Sequence, residues 1–221
     1  MRTVIFDLDG TLADTGADLI AAANGCFGEI GAGPQLDPVA DKSTAFRGGR
    51  AMLRLGFERL DEADVDAAVE AQYPRLLELY GENIDTHTVL YPGVAAAIAA
   101  LRDEGYAVAI CTNKPSGLAE TLMTRLRARD WFGALVGADT LPVRKPDPAP
   151  YFEAVRLAGG DPTRSLLVGD TVTDRETARA AGVPSVLVTF GPEGAGVADL
   201  APEALLPHYD ELGGVVRGLI G

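Results

Sequence analysis

The chain has 221 residues, and nearly half of them are apolar (47%), enough for a core without disulfides or structural metals. Lys and Arg number 19 against 32 Asp and Glu, giving a net charge of −13. That balance argues against nonspecific nucleic-acid binding, which depends on Lys and Arg neutralising phosphates. Cys26 and Cys111 lack CxxC spacing and read as buried reduced thiols, while His87 and His208 have no partner at metal-ligand spacing, which argues against a zinc site. The apolar stretch before Asp7 is too short for a signal-peptide core, and no apolar run reaches the roughly 18 residues of a membrane span. The expected location is therefore the cytoplasm, with no membrane association.

Residues 3–8 (TVIFDL) open the chain as a short apolar strand that runs into Asp7 and Asp9, and Gly10-Thr11 break the pattern. Residues 15–85 contain no convincing strand. GADLIAAANGCFGEIG predicts a helix with Leu19, Ala23, Phe27 and Ile30 inward, followed by a Gly/Pro-rich connection from Gly31 to Pro38. STAFRGGRAMLRLGFERL and ADVDAAVEAQYPRLLELY also read as helical. In the second, Val65, Val69, Tyr73, Leu76 and Tyr80 share a face, and Pro74 is expected to kink or divide the helix.

From residue 92 onward, helices and apolar strands alternate. Helix 92–104 precedes strand AVAICT (107–112), and helix 116–129, with Ser116 as N-cap, precedes strand ALVGA (134–138). Helix 148–158 precedes strand SLLVG (165–169). Helix 173–181, with a capping box in Thr173-Asp174-Arg175-Glu176, precedes strand PSVLVTF (184–190). Residues 191–206 read as loop and edge structure. Strands that are apolar throughout, rather than alternating, belong in a parallel sheet covered on both faces. The expected architecture is α/β: a doubly wound, Rossmann-like parallel sheet of five or more strands, formed by 1–14 and 86–221, with 15–85 inserted as an all-helical domain.

The carboxyl ends of these strands carry Asp7 and Asp9, then Thr112, Asn113 and Lys114, then Arg144-Lys145-Pro146, then Asp170 with Asp174 four residues on. In an open parallel sheet those ends form the ligand crevice. Carboxylates crowded together repel one another unless a cation lies among them, and oxygen ligands with few histidines suit Mg²⁺. Mg²⁺ suggests a phosphoryl group as the other ligand. A lysine and a threonine hydroxyl are suited to its remaining oxygens, and an aspartate in such a field can attack phosphorus. Residues i and i+2 of an extended segment face one side, so Asp7 and Asp9 can both meet one substrate.

VIFDLDGTLADT, CTN at 111–113, RKPDP at 144–148 and GDTVTD at 169–174 resemble, in order, the four motifs of the haloacid dehalogenase superfamily. The DxDGT form is that of its phosphatase branch. The helical insert resembles the cap found in phosphoglycolate phosphatases and β-phosphoglucomutases, and TNKP with KPDP looks most like the former group. The resemblance implies Asp7 as nucleophile and Mg²⁺ ligand, and Asp9 as general acid/base with its carbonyl on the metal. It also implies Thr112 on the phosphate with Asn113 beside it, Lys145 neutralising charge, Asp170 on the metal, and Asp174 on the metal's waters or on Lys145. Gly10 and Thr11 fit a tight loop at the substrate. In the insert, Arg47 beside the Gly48-Gly49 pair is a candidate reader of a substrate carboxylate.

The function this implies is a Mg²⁺-dependent phosphatase for a small phosphorylated metabolite, 2-phosphoglycolate first. The alternatives are a sugar phosphate or nucleotide substrate, a phosphomutase, or a non-catalytic phospholigand-binding protein. The residues leave monomer and homodimer equally open.

Overall fold

The computed structural model describes all 221 residues. Two compact units emerge: Met1–Asp14 with Leu90–Gly221, and Thr15–Val89. In chain order, strand β1 (Thr3–Phe6) leads to a short strand β2 (Ala13–Asp14). Four helices follow: α1 (Gly16–Glu29), α2 (Lys42–Ala45), α3 (Gly49–Arg59) and α4 (Val65–Glu82). The chain returns through β3 (Val89–Leu90), then α5 (Val94–Asp103), β4 (Ala107–Cys111), α6 (Ser116–Arg125) and β5 (Ala134–Val136). Next come α7 (Ala149–Leu157), β6 (Ser165–Gly169), α8 (Val172–Ala181) and β7 (Ser185–Val188). Strand β8 (Ala204–Leu206) and helix α9 (Leu212–Ile220) close it. No helix is long and apolar enough to cross a membrane.

The six-stranded sheet has the order β5-β4-β1-β6-β7-β8, and every neighbouring pair is parallel. Phe6 lies level with Ile110 on one side and Val168 on the other, so Asp7, Cys111 and Gly169 end on one edge. The winding reverses beside β1: the chain first builds outward through β4 and β5, then returns to place β6 on the other flank. Ligand crevices of open α/β sheets lie at such reversals. The strands are buried throughout, as their unbroken apolar sequence requires. On one face, Ile5, Ala109, Cys111, Val136 and Leu167 pack against Tyr151, Ala154 and Val155 of α7 and Ala178 of α8. Each fully buried aliphatic side chain there contributes about 1.5–3 kcal/mol.

Several local expectations change. Pro74 does not divide its helix: α4 runs unbroken from Val65 to Glu82, held by the buried side chains Val69, Leu76 and Tyr80. Ile30 is exposed, because it is the C-cap residue of α1 and has left the inward stripe. Helix α6 is not capped by Ser116, whose own N–H donates to Asp139 Oδ1 at 2.7 Å across the loop. Helix α8 begins earlier than expected, with Thr171 rather than Thr173 at its N-cap. The segment 191–206, read as loop and edge structure, does hold the edge strand β8. The helical unit extends to Val89 rather than residue 85, because buried Asp18 of α1 accepts hydrogen bonds from His87 N and from Thr88 N and Oγ1 (2.8–3.0 Å).

Within the helical unit, α1, α3 and α4 pack together. Gly56 of α3 sits against the Phe27 ring of α1 so closely that a Cβ there would fall 2.1 Å from a ring carbon. Phe27 and Phe57 meet edge to face at 5.1 Å.

Candidate active site

Asp7 leaves β1 with its N–H donating to Val168 O at 2.9 Å, which locks it beside the end of β6. The chain then turns sharply. Thr11, Leu12 and Ala13 N–H groups all point to Leu8 O, and Gly10, at φ 82°, closes the turn by donating to Ala13 O. A side chain is strained at that φ, which accounts for glycine there. Thr11 departs from its expected place at the substrate: its side chain is fully buried, and its hydroxyl donates to Asp170 Oδ1 at 2.9 Å. The Thr11 carbonyl in turn accepts from Tyr209 Oη at 2.8 Å, and the Tyr209 ring packs at a tilt against Phe190, centroids 5.4 Å apart.

Lys145 is buried between two acids. Its Nζ donates to Asp174 Oδ1 at 2.6 Å and lies 3.0 Å from Asp7 Oδ1. Asp174 is satisfied on both oxygens, since Oδ2 also accepts from Asp170 N, Thr171 N and Thr171 Oγ1 (2.8–3.2 Å). Gly169 makes this possible: a Cβ there would fall 2.3 Å from Asp174 Cγ. Asn113, expected beside the phosphate, donates instead to the Lys145 carbonyl at 2.9 Å and steadies that loop. Thr112, nearly buried, accepts from Lys114 N through its Oγ1 at 3.1 Å.

Sequence reasoning gave Lys114 no role. Its buried ammonium lies 2.9 and 3.1 Å from the two oxygens of Asp9. The pairing spans 105 positions, and no spacing rule reports it.

The site's acids therefore divide into two kinds. Asp9 has Lys114, and Asp174 has the hydrogen bond from Lys145. Asp170 Oδ2 is buried and accepts no hydrogen bond, and Asp7 Oδ1, also buried, has only the ion pair with Lys145 at 3.0 Å. Burial pushes the Asp7 carboxyl up from 3.8 to about 6, despite the downward pull of Lys145; Asp174 and Asp9 add to the rise. Burial likewise drives Asp170 well above the ordinary carboxylate range, with Asp174 and Asp7 adding to it and the Thr11 hydrogen bond opposing. Burial works against the charge of Lys145, but Asp174 and Asp7 outweigh it and hold the ammonium above its usual range.

Asp7, Asp170 and Asp174 each offer a carboxylate oxygen, and the three oxygens lie within 4.8 Å of one another. Four carboxylates against two ammoniums leave two negative charges, 4 − 2 = 2, the charge a divalent cation neutralises. The carboxylate oxygens of Asp7 and Asp170 are hard donors, and Asp170 Oδ2 has no partner, so the residues present fit a hard divalent ion. Asp174, with both oxygens engaged, is the poorest ligand of the three.

The motif segments of this site all fall within residues 4–188, which match the haloacid dehalogenase-like hydrolase family model. The chain belongs to the haloacid dehalogenase-like hydrolase family. It is 40% identical over 215 residues to the phosphoglycolate phosphatase of Mesorhizobium japonicum, covering 95% of this chain and 92% of that one. It is 38% identical over 217 residues to that of Rhodospirillum rubrum, covering 96% and 89%. Among solved structures, a predicted phosphoglycolate phosphatase from Haemophilus somnus superposes with a TM-score of 0.86 at 25% identity, covering 97% of each chain. This family member is a phosphoric monoester hydrolase.

The helical unit holds the two remaining candidates. Gly48, at φ 98°, is the N-cap of α3. Of the three arginines around it, Arg50 is bidentate to Glu70 (2.6 and 3.0 Å) and stacked on Tyr73, and Arg54 is paired with Asp66. Arg47 is exposed; its guanidinium donates to Thr44 Oγ1 at 3.3 Å and has no carboxylate partner.

Proposed function

We propose that this hydrolase is a Mg²⁺-dependent phosphatase that acts on a small phosphorylated carboxylic acid through an aspartyl-phosphate on Asp7, with 2-phosphoglycolate as the leading substrate. The observation that carries this reading is the charge balance: four buried or half-buried carboxylates against two ammoniums, with Asp170 Oδ2 left without any partner, at the reversal of the sheet. The names of the curated relatives support the substrate.

Asp7, Asp170 and the Asp9 carbonyl would hold the cation, which when bound supplies charge neutralisation for the phosphoryl oxygens. The protein's own residues do the rest. A free oxygen of Asp7 attacks phosphorus, and the bond to the leaving oxygen breaks. Asp9 gives that oxygen a proton, then takes one from the water that hydrolyses the intermediate. Lys145 and Thr112 bind phosphoryl oxygens, and Asp174 positions Lys145. Arg47, the guanidinium its neighbours leave unpaired, is assigned to the substrate carboxylate, with the backbone at Gly48 beside it. The helical unit is thereby the substrate-reading part, and a small anionic metabolite is the partner.

The test is a panel of 2-phosphoglycolate, sugar phosphates and nucleoside monophosphates, assayed with Mg²⁺ and with chelator. Turnover should require Mg²⁺, favour 2-phosphoglycolate, and vanish in Asp7→Asn. Arg47→Ala should raise KM for 2-phosphoglycolate more than for an uncharged-tail phosphoester. Activity retained by Asp7→Asn refutes the mechanism; preference for a sugar phosphate or nucleotide refutes the substrate.

A further inference from the structure

Lys114 is one of two buried lysines at the site, and the attack on phosphorus described above makes no use of it. Its side chain is 3% exposed, and Nζ faces both oxygens of Asp9. The backbone around it is clamped. Lys114 N donates to Thr112 Oγ1 at 3.1 Å, and Lys114 O accepts from Ala138 N at 3.0 Å. The loop after β5 presses so close that a Cβ at Gly137 would fall 2.8 Å from Lys114 O and 2.5 Å from Ser116 N. Asp139 binds Ser116 N, and Thr140 Oγ1 accepts from Gly137 N at 2.9 Å. Two strand-end loops are thus locked together where Lys114 leaves the sheet.

Burying a lysine removes it from water and freezes a long side chain, at about 2 kcal/mol of rotamer entropy. A surface fold has no need of that arrangement. We propose that Lys114 is the positioning residue of Asp9, fixing its carboxylate in the orientation from which it takes the proton of the attacking water. This rests on the reading of Asp9 as acid and base. A buried ammonium facing both Asp9 oxygens is built to orient that carboxylate, and it leaves recognition of the substrate's tail to other groups.

p-Nitrophenyl phosphate separates the two chemical steps. In the first, an Asp7 oxygen bonds to phosphorus, the phosphorus–aryl oxygen bond breaks, and p-nitrophenolate leaves with the electron pair and no need of a proton. In the second, water oxygen bonds to phosphorus, the bond to Asp7 breaks and restores its carboxylate, and the water proton passes to Asp9. Disordering Asp9 slows the second step selectively. General acid–base catalysis contributes about 10²–10⁴-fold, so a misaimed base should lose roughly 10- to 100-fold.

In stopped flow with saturating Mg²⁺, Lys114→Met should release one equivalent of p-nitrophenolate per site in a burst. Steady turnover should then be 10- to 100-fold below wild type, with KM unchanged or lower. Lys114→Arg should recover part of the steady rate; Lys114→Gln, close in length, repeats the test if the Met variant does not fold. A raised KM with intact kcat would make Lys114 a substrate contact and overturn the proposal. So would wild-type kinetics, or a loss of both steps without a burst in variants whose melting temperature is unchanged. Asp7→Asn run alongside keeps the readings apart. Activity in that variant removes the phosphatase mechanism, whereas an inactive Asp7→Asn beside a normal Lys114→Met removes only the role of Lys114.

Discussion

Thr11→Val isolates one hydrogen bond on which the proposed cation site depends. The hydroxyl is fully buried, donates to Asp170 Oδ1 at 2.9 Å, and is replaced by a methyl of nearly the same volume. Asp170 Oδ2 already accepts nothing, so the variant leaves the whole carboxylate without a side-chain donor. Hydrogen bonds to charged groups contribute about 1.5–3 kcal/mol. That bond aims Asp170 and favours its ionised form against the opposing effect of burial, and a cation needs both. If half to most of it is expressed in binding, Mg²⁺ affinity falls by about 1–2 kcal/mol, or roughly 5- to 30-fold. The turn itself should survive, because the Thr11 carbonyl still accepts from Tyr209 and its neighbours still point to Leu8 O. The assay is a Mg²⁺ titration read by activity and, separately, by the rise in melting temperature with added Mg²⁺. Thr11→Ser, which keeps the donor, should stay within about twofold of wild type. A Mg²⁺ affinity for Thr11→Val within twofold of wild type would refute the reasoning, as would a maximal rate lost while affinity is kept.

Three further outcomes follow from the same geometry. Gly169→Ala forces a methyl to within 2.3 Å of Asp174 Cγ, so Asp174 must release Lys145; activity should drop at least tenfold, with about 1–3 kcal/mol of overpacking lost in denaturant unfolding. The raised Asp7 value favours folding of the cation-free protein below pH 3.8, and that contribution disappears as pH climbs through about 6, roughly 3 kcal/mol in all. Mg²⁺ should therefore bind more tightly as pH rises through 6 and release protons on binding below it, both readable by calorimetry; a pH-independent affinity between 5 and 7 would contradict the Asp7 environment. Cys26 and Cys111 are fully buried, with thiols pushed by burial to about 11 and about 12, so neither should react with iodoacetamide at pH 8 until the protein is unfolded.

What the sequence made legible follows from how local the underlying interaction is. Five of the six sheet strands were readable because burial leaves an apolar run in each, and the acids that follow β1 and β6 stand out against it. Strand β8 has three residues at the sheet edge and little apolar contrast. Helix α9 begins Leu-Gly-Gly, a poor helix-forming start, and owes its place to buried Leu212 and Val216 and to Arg217 pairing with Glu104. The capping residues were misread for the same reason. Thr173 and Ser116 look like caps in sequence, but Asp174 accepts from Thr171 and Asp139 supplies Ser116 from another loop. At the site, the residue types were legible, and the resemblance also implied Lys145 at Asp7 and Asp174; two other pairings were not legible, since Thr11 to Asp170 spans 159 positions and Lys114 to Asp9 spans 105.

Those pairings determine how the acids differ in duty. By residue type and strand position alone, four aspartates at one sheet edge look equivalent, and only the family resemblance gives them separate roles. Lys114 neutralises Asp9, and Lys145 donates to Asp174 while lying 3.0 Å from Asp7, so Asp9 and Asp174 each keep a fixed orientation. The other two, Asp7 and Asp170, carry the charge that burial resists, which is why both are pushed toward their neutral forms. A buried acid in that state is costly unless something positive arrives, so the unfilled demand lies on the two residues flanking the sheet reversal. Removing Lys145 would extend that demand to Asp174 and deepen it at Asp7, while removing Lys114 touches neither Asp7 nor Asp170 directly. Lys145→Met should therefore alter Mg²⁺ affinity and Lys114→Met should not; equal effects on binding would mean that the two lysines serve one undivided acidic cluster rather than two separate pairs.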